Sequence, residues 1–151
     1  MPQTSLSVHK QITVHCGIDR AFDVFTAGID AWWPRASHSV GGADCARVEI
    51  EPRVGGRIVE HLTGGTTSEW GRIIEWDPPR ALAFTWHPGR DASTAGEVRV
   101  RFADAGGGST TVTLDHTGFE KMGDDAREIH ANYDSGWAYV LGEYLAATPR
   151  S

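Results

Sequence analysis

Cysteine, clustered basic charge and long apolar runs are all scarce in this chain of 151 residues. The only cysteines, Cys16 and Cys45, lie in no CxxC pair or other metal-ligand spacing. They read as reduced thiols, and neither a disulfide framework nor a metal site is expected. A formal charge of -6 with scattered arginines leaves no basic footprint, which argues against nucleic acid as a partner. No apolar run approaches the roughly 20 residues that span a bilayer, and the opening MPQTSLSVHKQ lacks the apolar core of a secretion signal. No membrane partner and a cytoplasmic location are therefore expected. The chain also has no GxSxG elbow, no HExxH and no GxxxxGKS/T, and GGTTSEWG lacks the strand-to-helix context of a phosphate loop. No cofactor is expected.

What is present is an ordinary globular composition, 40% hydrophobic and 23% charged, with six tryptophans. One domain is expected over 1–151, with its core from about residue 6 to residue 146. Leu6, Val8, Ile12 and Val14 alternate through a first strand. Asp19 is placed to cap a short helix carrying Phe22, Phe25 and Ile29, and a second short helical turn holds AWW before Pro34. After the polar loop SHSVGGAD come six alternating segments: CARVEIEP, RIVEHLT, SEWGRIIEW, ALAFTWH, EVRVRFAD and STTVTLDH. Their separators are too short for crossover helices, so the sheet should be antiparallel. From Ile129 to Leu145 apolar residues recur three or four apart, which predicts a long C-terminal helix. Gly136 inside it predicts close backbone packing or a local bend.

The apolar members of the later strands fall on even numbers, including Trp70, Ile74, Trp76, Phe84 and Trp86, so one face is core and the other wet. Polar exceptions on the even face are Glu60, Arg72 and His116, and a buried polar group must find a partner. A tight turn at GGTT that sets Leu62 opposite Trp70 also sets Glu60 opposite Arg72. That pair reads either as a structural ion pair or as a site that orients a ligand carboxylate, phenol or carbonyl. The DPPR connection should loop out so that Trp76 opposes Leu82.

The runs FDVFTAGIDAWWP, VGGRIVE, GRIIEWDPPRALAFTW and GWAYVLGEYL resemble the AHSA1-like branch of the SRPBCC, or START-like, superfamily. The resemblance implies an α+β helix-grip fold, Bet v 1-like: a curved antiparallel sheet of about seven strands around a long C-terminal helix, with two short helices after the first strand. It also implies a cavity between sheet and helix. The expected ligand-binding residues are Glu60, Trp70, Arg72, Trp76, Phe84, Trp86, His116, Tyr133 and Trp137, with His38 and Ser39 beside the entrance and His130 on the helix stripe. An aromatic wall with a few fixed polar groups suits a small apolar molecule. The leading expectation is a small hydrophobic or aromatic ligand held in that cavity. One alternative is a cyclase- or hydrolase-type enzyme using Glu60, His116 and Tyr133 for acid-base chemistry. Another is a chaperone-cofactor-like interaction domain; a homodimer stays open.

Overall fold

Seven antiparallel strands form one curled sheet in a computed structural model that describes residues 6–148. They are β1 (Val8–Val14), β2 (Cys45–Ile50), β3 (Arg57–Leu62), β4 (Thr67–Asp77), β5 (Ala81–Trp86), β6 (Gly96–Gly106) and β7 (Ser109–Thr117), in the spatial order β1-β7-β6-β5-β4-β3-β2. From β1 the chain crosses to the far edge through α1 (Ile18–Phe25) and α2 (Ile29–Trp32). It then returns strand by strand, as the short separators require, until β7 pairs with β1. The tightest return, between β6 and β7, runs through Gly106, Gly107 and Gly108, all at positive φ that other residues rarely adopt.

The long helix α3 (Ala126–Ala147) covers the inner face and buries Ile129, Trp137, Val140, Leu141 and Tyr144. A 3-10 segment, Phe119–Asp125, leads into it. At one end of the core Phe22, Phe25, Phe102, Trp32 and Tyr144 pack edge-on or tilted with centroids 5.2 to 5.8 Å apart. The Tyr144 hydroxyl donates to the Ala21 carbonyl at 2.7 Å and ties α3 to α1. No helix among the described residues is long and apolar enough to cross a membrane. Helix α1 begins at Ile18 with Gly17 at its N-cap, so Asp19 sits in the first turn and makes no side-chain cap. Helix α3 runs through Gly136 without a break. The His38 ring packs over it, with Cδ2 3.8 Å from the position a Cβ would take, an ordinary contact distance.

The even-number rule fails in β4. Ile58 faces Gly71 while Val59 faces Glu69, so Trp70 is an extra residue in a bulge; Ile74 is extra in the same way between Ile73 and Glu75. Each bulge reverses the inward parity. Between them Ile73 is buried, whereas Arg72 and Ile74 face solvent. Beyond the second bulge Trp76 opposes Leu82, the register the sequence predicts.

Candidate ligand cavity

Three pieces of chain line an open cavity of about 360 Å³: the 38–40 loop, the end of β5 with the following turn, and the middle of α3. The first piece is shaped by Trp33. Helix α2 stops there because Pro34 follows, and Trp33 takes an extended conformation that turns its ring into the cavity wall. Its indole N–H donates to the His38 carbonyl at 2.8 Å and clamps the loop. Glu60 holds the loop from below. Its side chain is fully buried and accepts from the backbone N–H of Val40 at 2.9 Å, of Gly41 at 2.7 Å and from the Trp70 indole at 2.9 Å. A Cβ at Gly41 would stand 2.2 Å from Leu62 Cδ2 and 2.9 Å from Glu60 Oε2, so a larger residue there would displace these side-chain ends.

Trp86, Pro88 and Gly89 form the second wall. The turn is fastened by His87, whose Nδ1 lies 3.1 Å from the Arg90 carbonyl and whose own carbonyl accepts from the Arg90 N–H. Asn132, Tyr133, Gly136, Trp137 and Val140 of α3 form the third. The cavity is thus mainly aromatic, with Trp86 and Trp137 centroids 5.2 Å apart and Trp33 6.0 Å from Trp86. The buried Trp86 indole N–H has no hydrogen-bond acceptor among the described residues.

Behind this wall the Trp137 indole donates to His116 Nδ1 at 3.0 Å, which places the neutral ring's proton on Nε2. Burial, with a smaller contribution from the charge of His130, lowers the His116 pKa from the ordinary 6.5 to about 4. The folded protein therefore keeps His116 neutral where the unfolded chain protonates it. Since the unfolded state binds the extra proton, stability falls as pH drops from about 6.5 to about 4, by roughly 3 kcal/mol in all. Urea midpoints measured across this range should fall for the wild type, and His116→Gln should remove that part of the slope. Equal slopes in the two proteins would exclude His116 as the source. Burial also raises the Tyr133 pKa, opposed by the nearby charge of Arg90.

Of the residues expected at the site, Trp86, Tyr133 and Trp137 line this cavity, as do His38 and Ser39. Trp70 and Phe84 are buried beneath it, against Trp86. Trp76 stands at the other end of the core on Phe22. The expected Glu60–Arg72 pair does not form: Glu60 opposes Ser68, and Arg72 opposes Arg57 and bonds Glu69 at the exposed face. The cause is a tighter turn, closed by the Leu62 N–H on the Thr66 carbonyl, so Leu62 does not oppose Trp70, and the bulge at Trp70 then turns Arg72 outward. His130 Nε2 contacts the Ser7 carbonyl instead of the cavity. The acid-base set Glu60, His116 and Tyr133 does not assemble either. Trp70, Trp86 and Trp137 stand in a row of ring contacts between Glu60 and His116, although His116 and Tyr133 centroids are 4.9 Å apart. Trp33, Val40, Asn132, Val140 and the Pro88–Gly89 turn line the cavity without having been singled out in the sequence.

The family described as Activator of Hsp90 ATPase homolog 1-like protein matches residues 15–148. The chain belongs to this AHSA1 family. Among solved structures this AHSA1 chain is similar to the anthrahydroquino-γ-pyrone synthase Txn09, complexed with SUM. The two are 38% identical, covering 89% of this chain and 90% of that one, with a TM-score of 0.60. It is 26% identical to the self-sacrificing resistance protein CalC from Micromonospora echinospora, covering 94% and 93% of the two chains with a TM-score of 0.66. The Aha1 dimer from Colwellia psychrerythraea, 14% identical with coverage of 94% and 95% and a TM-score of 0.68, shares the AHSA1 fold. No curated protein matches the chain.

Proposed function

We propose that this AHSA1-family protein binds a flat, mainly aromatic molecule of polyketide type between the 38–40 loop, β5 and α3. The observation that carries this reading is the cavity wall, where Trp33, Trp86, Tyr133 and Trp137 stand beside the polar side chains of His38, Ser39 and Asn132. A ligand carbonyl or phenol oxygen would bond those polar groups while its rings meet the aromatic ones. Trp33, Trp137 and Tyr133 supply ring faces on which a planar molecule packs. The 38% identity to a synthase named for an anthrahydroquino-γ-pyrone supports an anthraquinone-like ligand class.

Emodin, a hydroxylated anthraquinone, serves as the test ligand. Titration is expected to quench the tryptophan fluorescence saturably in the micromolar range. Trp86→Phe should weaken binding about five- to tenfold through lost ring contact, and lower the unfolding midpoint as well, because the ring is buried against Trp33, Trp70, Phe84 and Trp137. No saturable quenching would sink the reading, and unchanged affinity in Trp86→Phe would remove Trp86 from it.

A second reading, an enzyme that closes a pyrone-type ring on such a molecule, is favoured by the same identity over nine-tenths of both chains. The chaperone-cofactor alternative and the homodimer rest on relatives 14% and 18% identical, a likeness that extends to the fold alone.

A further inference from the structure

Two polar side chains of the cavity are held in ways that suit opposite ends of a proton transfer. His38 places Nδ1 2.7 Å from Ser37 Oγ, and its ring stacks on Tyr139 of α3 with centroids 4.9 Å apart and planes 12° from parallel. The other edge of the ring lies over Gly136, with Nε2 4.0 Å from where a Cβ would stand. In the tautomer that donates its Nδ1 hydrogen to Ser37 Oγ, the imidazole has an acceptor at Nε2. Tyr133 lies three residues before Gly136, which puts both on one face of α3 about one turn apart. The charge of nearby Arg90 opposes the effect of burial on the Tyr133 hydroxyl. Burial nonetheless raises the Tyr133 pKa, so the phenol keeps its hydrogen. Both side chains line the cavity, together with Trp86.

We propose that His38 is the proton acceptor and Tyr133 the proton donor of a ring closure in this cavity, on an aromatic polyketide carrying a phenol beside a β-diketone chain. The assignment rests on the ring-closing reading above. His38 Nε2 takes the phenol proton as the phenol oxygen attacks the distal ketone carbon. A C–O bond forms, the carbonyl pair moves onto its oxygen, and that oxygen takes the Tyr133 proton to give a cyclic hemiketal. The hemiketal hydroxyl then leaves as water with the proton held by His38. The hydrogen of the carbon between the two carbonyl positions passes to the Tyr133 phenolate as the ring C=C forms. The sum is a γ-pyrone and one water, with no change in oxidation level and both residues restored. Ser37 and Tyr139 act as positioning residues that fix the imidazole plane.

The test substrate is an anthraquinone bearing adjacent hydroxyl and acetoacetyl groups, with loss of water followed by mass spectrometry and emodin affinity followed by fluorescence. Wild type is expected to close the ring. His38→Gln should slow ring closure about a hundredfold or more, as loss of a general base does, while emodin affinity falls far less, by no more than about tenfold for one lost wall contact. Tyr133→Phe should slow it comparably. Added imidazole and methylimidazole should restore the rate of His38→Ala in order of basicity, which a purely packing role of His38 would not produce. Ring closure by His38→Gln at the wild-type rate, or rescue indifferent to basicity, would overturn the assignment. Wild type that binds emodin and leaves the diketone unchanged would overturn it while the binding reading stands. Wild type that does neither would sink both.

Discussion

Gly71→Ala is expected to yield no folded protein, or protein destabilised by about 4 kcal/mol or more. A Cβ at Gly71 would stand 1.7 Å from the Thr85 carbonyl oxygen and 2.6 Å from its carbon. Those atoms belong to the backbone of the neighbouring strand and cannot rotate aside, so β4 and β5 must separate. The separation breaks the bond from the Arg72 N–H to Thr85 Oγ1 and the one from the His87 N–H to the Trp70 carbonyl. It also shifts Trp70 and Trp86, which share a ring contact under the cavity. Gly136→Ala is the matched control. Its Cβ meets the His38 ring at an ordinary 3.8 Å, and alanine favours helix by up to about 1 kcal/mol. Urea unfolding followed by tryptophan fluorescence separates the two variants. A wild-type midpoint in Gly71→Ala would show that β4 does not make this close approach.

The same close approach explains where the sequence was legible and where it was not. Period-two alternation carries strand identity, and short separators carry the antiparallel meander, because both are local properties of the chain. They suffice for the strand order and for the Trp76–Leu82 register. SEWGRIIEW alternates as cleanly as its neighbours, yet it holds two bulges. What creates the first is room at Gly71 for the Thr85 carbonyl, a contact between strands that periodicity does not encode. The site shows the same limit. Trp86, Tyr133 and Trp137 lie on regular elements whose facing follows from spacing, and the reading reached them. Trp33 stands at the C-cap of a four-residue helix, where a change of backbone conformation, not periodicity, decides which of two adjacent tryptophans turns to the cavity. Glu60 was legible as a buried acid needing partners. Its partners are backbone groups of a loop about 20 residues earlier, and only the doublet Gly41–Gly42 marks that loop as able to approach.

Glu60 accordingly carries the second large effect. Glu60→Ala is expected to cost about 3 to 4 kcal/mol, since it removes the common acceptor of the Val40 and Gly41 N–H groups and of the Trp70 indole from a fully buried position. Glu60→Gln keeps one oxygen acceptor and sets an amide N–H against a donor in place of the other, so a loss of about 2 kcal/mol is expected. Emodin affinity should fall with stability in both variants, because the loop that Glu60 pins brings His38, Ser39 and Val40 to the cavity. Arg72→Ala discriminates this anchoring from the ion pair that simple alternation implies. A pair would make the two residues equally costly to remove. With Arg72 at the exposed face bonded to Glu69, its loss should change the urea midpoint by no more than about 0.5 kcal/mol and leave emodin affinity unchanged. Comparable losses in Glu60→Ala and Arg72→Ala would restore the pair and remove the loop anchor.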